Sequence, residues 1–365
     1  MEIAGVRART VVVPLERPVR TSNLVVTERS YVLVEVTTVD GIAGHGFGFT
    51  RGGLVAETVE RNLAPLLLGE DAGRVEELWR KMYAGTRYLG RKGLLMRAIS
   101  AVDLALWDAK AKSLGAPVWA LVGGARASVP VHVAGGYYGP ATDPADVAAE
   151  FAAYREAGYA GAKLNVGGLP FEEDMARVRA AHDALGDEVG LAVDFNGALT
   201  DARTAERWSA ALAELDVSFM EEPFLMDDRP SLTGFARRSR VPVAMGEDES
   251  GRWAFAELIG MGAMDIVRHD VTIVGGLSEW LKVTGLALAN NLRLFPHWFP
   301  EYHVHLAAAF TECMGVEVVA RESGIMGTEK LIRNPVVAEG GHARAPSAPG
   351  WGIEWDLGAI ERYSA

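Results

Sequence analysis

The sequence predicts a two-part α/β protein, with an α+β domain at the N-terminus followed by an eight-fold (β/α) barrel of the TIM-like kind. Three observations carry this. Residues 1 to about 125 place β-rich runs before helical ones, and after Gly123 and Gly124 apolar strand-like runs alternate with helical patterns. Between Leu191 and His297 a polar group closes each apolar run in turn: Asp194 in LAVDFN, Glu221 in VSFMEEP, Glu247 in VPVAMGED, Asp270 in MDIVRHD and His297 in LRLFPH. The successive spacings of 27, 26, 23 and 27 residues correspond to one strand plus one helix per step.

Taken in order, VRARTVVVPL, SYVLVEVTT and the Gly-rich GIAGHGFGF predict an antiparallel meander. The polar stretch PVRTSNLVVTER between the first two runs, and TRGGL at 50–54, are expected to be loops. From Val55, the runs AETVERNLAPLLLG, RVEELWRKMYAG and RKGLLMRAISAVDLALWDAKAKSLG carry apolar residues at helical spacing. In the last of them Leu94, Ala98, Ala101, Leu104 and Leu106 are expected to be buried, and Gly115 followed by Pro117 ends the run.

The alternating part begins with VPVHVAGG and the helix PADVAAEFAAYREAG, then GAKLNVG and FEEDMARVRAAHDALG. It continues through the five runs ending in Asp194, Glu221, Glu247, Asp270 and His297, each followed by a helical pattern, and VEVVA supplies an eighth strand. Beyond Arg321 the chain is rich in Gly and Pro and aperiodic, and is expected to run back across the first domain. The expected boundaries are 1–125, 126–320 and 321–365.

Composition excludes several classes of function. A formal net charge of −12 argues against an extended nucleic-acid footprint. No apolar stretch reaches the roughly 20 residues of a membrane helix, and the N-terminus lacks a signal-peptide layout, so a cytoplasmic protein with no membrane partner is expected. The single cysteine, Cys313, rules out an intramolecular disulfide framework and reads as a small buried residue.

Side chains two apart on a strand share a face, so Lys163 goes with Asn165, Asp194 with Asn196 and Arg268 with Asp270. Asp194, Glu221 and Glu247 come from three consecutive strand ends and would repel one another without a counterion. A hard divalent cation resolves this. Mg²⁺ prefers such oxygen ligands, and the absence of Cys or a His pair among the three argues against zinc. Asp270 and His297 sit one strand apart, the arrangement in which a carboxylate orients an imidazole and raises its basicity. His45, His182 and His342 are placed outside the site, and His303 and His305 are read as helix-packing residues.

The ordered set LNVG, VDFN, EEP, GED, HDVTIVGG, FPH and PGWGIEWD, with SAVDLALWDAKAKSLGAPVWALVGG in the first domain, resembles the enolase superfamily in its mandelate racemase subgroup. The resemblance implies a capping domain built from both chain ends over the barrel, and Mg²⁺ at Asp194, Glu221 and Glu247. It implies abstraction of the proton α to a substrate carboxylate, with His297 as base assisted by Asp270. Lys163 and Glu317 match residues that act on the substrate carboxylate, and a homo-oligomer is implied as well. Where the family has the second lysine of a K-x-K pair, this chain has Asn165.

An amide exchanges no proton near neutral pH, so one face of the substrate lacks a base. The expectation is therefore dehydration of an acid sugar to a 2-keto-3-deoxy acid, His297 taking the α-proton and returning it to the leaving hydroxyl. The alternatives are a racemase or epimerase of a hydroxy acid, and a metal-binding homologue without turnover. Specificity is expected from TSNLVV and TRGG and from Tyr137, Tyr138 and Trp298, with Asn165, Asn196 and Arg51 as further substrate contacts. Arg51 reads either as a solvated loop residue or as the contact for a distal carboxylate.

Overall fold

The computed structural model describes residues 1–139 and 142–365. Strands β1 (Ile3–Arg20), β2 (Val25–Thr38) and β3 (Ala43–Phe49) form an antiparallel sheet in that order. The stretch expected to be a polar loop at 18–29 is instead paired backbone. Val19 faces Val26 and Arg20 faces Val25, leaving a tip closed by Thr21 N–H donating to Leu24 C=O at 2.9 Å. Val19 and Arg29 are buried while Leu24 and Val25 are exposed, so this ribbon has an inner side despite its polar composition.

The long helix Leu94–Ser113 lies across β2 and β3. Its approach explains the glycines of β3. A Cβ on Gly44 would fall 2.1 Å from the carbonyl oxygen of Ala105, and one on Gly46 would fall 2.1 Å from that of Ala101. Ala98, Ala101, Leu104 and Leu106 are buried, as the periodicity requires, but Leu94 at the first position is 43% exposed, beside the 50–54 loop. The run from Val55 is broken by a π turn at Val59–Leu63 just before Pro65, whose missing N–H prevents a regular helix there.

The barrel strands are β4 (Ser128–Gly135), β5 (Gly161–Asn165), β6 (Gly190–Asp194), β7 (Met220–Glu221), β8 (Val243–Met245), β9 (Ile266–Val267), β10 (Arg293–Leu294) and β11 (Val316–Val319). They are parallel and neighbour one another in chain order, with β11 returning to β4. The remaining gap is closed by a parallel bridge between Leu294 and Cys313, with Met314 N–H donating to Leu294 C=O at 2.8 Å. Asp143, Asp201 and Asp228 each accept a backbone N–H at the start of an outer helix, ending the preceding loop where the pattern requires. Inside, Ala192, Phe219, Ala244, Ile266 and Phe295 form an apolar plug.

The tail touches both parts. Ala365 N–H donates to Thr10 C=O at 3.0 Å and Trp351 Nε1 to Leu104 C=O at 2.9 Å, while β12 (His342–Arg344) pairs antiparallel with the start of β4. A second seam joins the first domain to the HDVTIVGG segment. Ser100 Oγ accepts from Gly275 N–H at 3.0 Å, and Trp79 Nε1 donates to Gly275 C=O at 2.6 Å. Among the described residues no helix is long and apolar enough to cross a membrane.

Candidate active site

Eight parallel strands bring their C-terminal ends to one mouth, and alternation along each strand decides which side chains point inward. The register sets Asn165 beside Asp194, and Asp194 beside Glu221. Glu247 follows just after β8. One carboxylate oxygen from each of Asp194, Glu221 and Glu247 lies within 4.8 Å of the others, and all three residues are buried.

Beneath them lies a layer of ion pairs. Lys163 Nζ donates to Glu221 at 2.7 Å and also lies 3.2 Å from Asp194 and 2.8 Å from Glu317. Arg268 Nε meets Glu221 at 2.7 Å and its Nη2 meets Glu317 at 2.7 Å, while Nη1 donates to the carbonyls of Phe295 and Pro296. Burial alone would raise Glu221 and Glu317, but Arg268 and Lys163 outweigh it and hold both below the usual carboxylate range. Glu247 has no such cation. Burial, then the charges of Asp194 and Glu221, push it well above that range, and burial raises Asp194 too, with Lys163 opposing.

Four carboxylates (Asp194, Glu221, Glu247, Glu317) against two cations (Lys163, Arg268) leave a formal charge of −2 in a buried cluster. A divalent cation balances it. The donors are all oxygen, and Glu247 Oε2 is buried with no hydrogen-bond donor, so the residues fit Mg²⁺.

On the next strands Asp270 Oδ2 lies 3.0 Å from His297 Nδ1, and Asp270 Oδ1 accepts from Thr272 N–H at 2.7 Å and Thr272 Oγ1 at 2.8 Å. Burial would raise Asp270, but His297 and the Thr272 donor keep it below its ordinary value, so it is a carboxylate that can only accept. Asp270 can therefore hold a proton on His297 Nδ1, and His297 Nε2 lies 3.5 Å from Glu247 Oε2. The Trp298 ring stacks on the imidazole at 4.9 Å.

A cavity of about 480 Å³ opens above this layer. Asp194, Glu247, His297 and Trp298 lie on its barrel side, and the Oδ1 atoms of Asn165 and Asn196, both cavity residues, are buried without a donor among the described residues. The first domain supplies the opposite wall through Thr21, Asn23, Leu24, Arg29 and Arg51. Its hairpin tip is tied down by Ser22 Oγ donating to Phe195 C=O at 2.9 Å and Asn23 Nδ2 to Asn196 C=O at 2.8 Å. Asn196, Glu222, Trp298, Phe299 and Arg51 all have φ between 41° and 49°, a strained choice for side-chain-bearing residues that gathers around this cavity.

Family models match nearly the whole chain: the mandelate racemase/muconate lactonizing enzyme N-terminal domain over residues 3–123 and the enolase C-terminal domain-like family over residues 146–359. The chain belongs to the mandelate racemase/muconate lactonizing enzyme family. Within that family it is 34% identical to an arabinonate dehydratase of Saccharolobus solfataricus, over 91% of this chain and 90% of that one. It is 32% identical to a 3,6-anhydro-alpha-L-galactonate cycloisomerase of Streptomyces coelicolor, over 91% of each chain. The crystal structure of L-talarate/galactarate dehydratase from Salmonella typhimurium LT2, liganded with Mg and L-lyxarohydroxamate, superposes with a TM-score of 0.91 at 30% identity, covering 100% of this chain and 93% of that one.

The mandelate racemase/muconate lactonizing enzyme fold thus brings most of the sequence-derived residues to one place. Asn165, Asp194, Asn196, Glu247, His297, Trp298, Tyr137 and Arg51 line the cavity, while Lys163, Glu221, Glu317 and Asp270 support it from below. Tyr138 is turned away. Its hydroxyl donates to Asp174 and accepts from Gly168 N–H at 2.8 Å, and its ring lies under Arg177, so it braces the loop after β5. His45, His182 and His342 lie off the cavity, and Cys313 is buried.

Three contributors were not assigned from sequence. Arg268 was noted only as sharing a face with Asp270. Arg29 stood in the supposed loop. His303 does more than pack a helix: its Nε2 accepts from Val271 N–H at 3.2 Å and its Nδ1 donates to Trp298 C=O at 2.5 Å, so it joins the two strand ends that carry Asp270 and His297. Burial lowers His303 to about 4, which keeps it neutral in that bridge.

Proposed function

We propose that the protein is a Mg²⁺-dependent acid-sugar dehydratase with His297 as its base. The carrying observation is the pairing, in one cavity, of a single His–Asp dyad with an amide, Asn165, on the strand that would bear an opposing base. Two names among the relatives, arabinonate dehydratase and L-talarate/galactarate dehydratase, support that reaction class.

Asp194, Glu221 and Glu247 would hold the metal. When bound, Mg²⁺ supplies positive charge against the negative charge that develops on the substrate carboxylate as the α-proton leaves. His297 Nε2 accepts that proton, and Asp270 holds the resulting imidazolium through Nδ1. The same Nε2–H then protonates the β-hydroxyl, the C–O bond breaks, and water departs. The enol that remains tautomerises to the 2-keto-3-deoxy acid.

Asn165 takes no part in proton transfer. Its unpaired Oδ1, like that of Asn196, accepts a hydrogen bond from a substrate hydroxyl, and a polyhydroxy acid is the substrate class that offers several. Lys163 and Glu317 fix the carboxylate layer from beneath. The test is a panel of acid sugars with Mg²⁺, read for 2-keto acid and followed by NMR in deuterated solvent. Interconversion of epimers without 2-keto acid would overturn the proposal.

A further inference from the structure

Among the described residues four cations are buried: Arg29, Lys163, Arg177 and Arg268. Three of them hold a carboxylate, Lys163 and Arg268 through Glu221 at 2.7 Å and Arg177 through Asp174 at 2.6 Å. Arg29 is 6% exposed and makes no ion pair among the described residues. Its Nε donates to Ile325 C=O at 2.8 Å, and its guanidinium lies 5.2 Å from the centroids of both Phe49 and Trp298. A buried charge with no counter-charge among the described residues is costly, and here it lines the cavity.

Its place along that cavity is specific. The Trp298 ring stacks on His297 at 4.9 Å and also lies 5.2 Å from the Arg29 guanidinium, so one indole touches both the imidazole and the cation. The electrostatic neighbours of Arg29 are Tyr31, Tyr137 and a second arginine, Arg51, which lines the same wall. Tyr137, on the same cavity, is influenced electrostatically by both Lys163 and Arg29. The acids at the rim do not serve Arg29. Asp227 is exposed, and Asp248 is held by Arg97 at 3.1 Å.

We infer that Arg29 receives an anionic group at the end of the substrate remote from the metal, so that the preferred acid sugars carry a second carboxylate. This rests on the dehydratase reading for the identity of the substrate, though not for the binding itself. Guanidinium matches carboxylate in a planar, two-point contact, and an aromatic floor under the cation fixes its plane. A terminal hydroxymethyl group would leave that charge unmatched. Arg51, exposed and 5.8 Å from the Phe49 ring, adds positive potential at the same end without being the anchor.

The test compares matched pairs that differ only in the terminal carboxylate, galactarate with galactonate, glucarate with gluconate and the four- and five-carbon equivalents. Mg²⁺-loaded parent, Arg29→Gln and Arg29→Lys are assayed for turnover and, by calorimetry, for binding. A diacid should lead its monoacid partner in the parent. Arg29→Gln should lower kcat/KM for the diacid by on the order of 10²–10³, chiefly through KM, and change the monoacid less than about fivefold; Arg29→Lys should restore part of the loss. Equal losses for both members of a pair would mark Arg29 as structural and overturn the inference, as would a panel in which no diacid outperforms its partner. If diacids bind more tightly than their partners in an Arg29-dependent manner but no member of the panel, diacid or monoacid, is dehydrated, the dehydratase reading falls and the Arg29 site stands.

Discussion

Asp103 on the long first-domain helix caps a helix of the barrel: its Oδ2 accepts from Ser278 N–H at 2.9 Å and its Oδ1 from Ser278 Oγ at 2.6 Å. Gly276, at the head of helix Leu277–Ala289, makes room for it, since a Cβ there would fall 2.4 Å from Asp103 Oδ2. The cap that a local Ser or Asp supplies elsewhere is delivered here from the other domain. Burial raises Asp103 to about 7 in spite of these hydrogen bonds.

A pH signature follows. The folded value lies above an unfolded value of about 3.9, so the folded state binds the extra proton between the two. The contribution of Asp103 is fully favourable below about pH 4 and is lost as pH rises through about 7. Asp103→Asn is neutral throughout and should flatten this dependence, the parent-minus-variant difference in unfolding free energy changing by about 2–4 kcal/mol between pH 4 and 8. Urea unfolding across that range measures it.

His297→Asn should lower kcat by at least about 10³ and leave Mg²⁺ affinity within about threefold of the parent. Asp270→Asn keeps an acceptor near Nδ1 but removes its charge, and a loss of about 10²–10⁴ is expected. Single-turnover kinetics with titration calorimetry separate chemistry from metal binding. A parental rate in His297→Asn rules out that base.

Removing one carboxylate from the metal cluster should have opposite effects with and without metal. In EDTA, Glu247→Gln replaces a buried carboxyl whose charged form is disfavoured by burial and by Asp194 and Glu221, so its melting temperature should equal or exceed that of the parent. The parent should gain about 2.7 kcal/mol at a hundredfold excess of Mg²⁺ over its Kd, and the variant should gain little. Scanning calorimetry with and without Mg²⁺ reads both effects.

Arg268→Met should be among the most destabilising single changes, costing on the order of 3–5 kcal/mol, because Glu221 and Glu317 would be left buried beside Lys163 alone. Arg268→Lys should recover part of this. A cost under about 1 kcal/mol, by denaturant titration, would mean the network contributes little to holding the barrel mouth.

The barrel and its row of acids were legible because strand alternation and helix length impose a regular period, and each chemical group stands where an apolar run stops. Arg268 was opaque for the opposite reason. Its partners Glu221 and Glu317 lie 47 and 49 residues away, and no local pattern marks a cation that pairs across a barrel. Arg29 was hidden by composition. A stretch as polar as PVRTSNLVVTER reads as solvated, yet its inner side faces a cavity and the barrel rim. Tyr138 shows the limit of a two-residue period past a strand end, where Gly136 at φ 60° turns the chain and neighbouring side chains no longer alternate.

The hairpin tip hydrogen-bonds to Phe195 and Asn196 through their carbonyl oxygens, one and two residues beyond Asp194. Those groups exist whatever side chains occupy the positions. The spacing between the hairpin tip and the loop after Asp194 is therefore held by main-chain acceptors, and if Arg29 receives the far end of the substrate, side-chain drift in this loop should alter the accepted hydroxyl configuration more than the length of substrate admitted. Exchange of the tip between relatives, with Ser22 and Asn23 retained, is the corresponding route to new stereochemical preference on an unchanged catalytic floor.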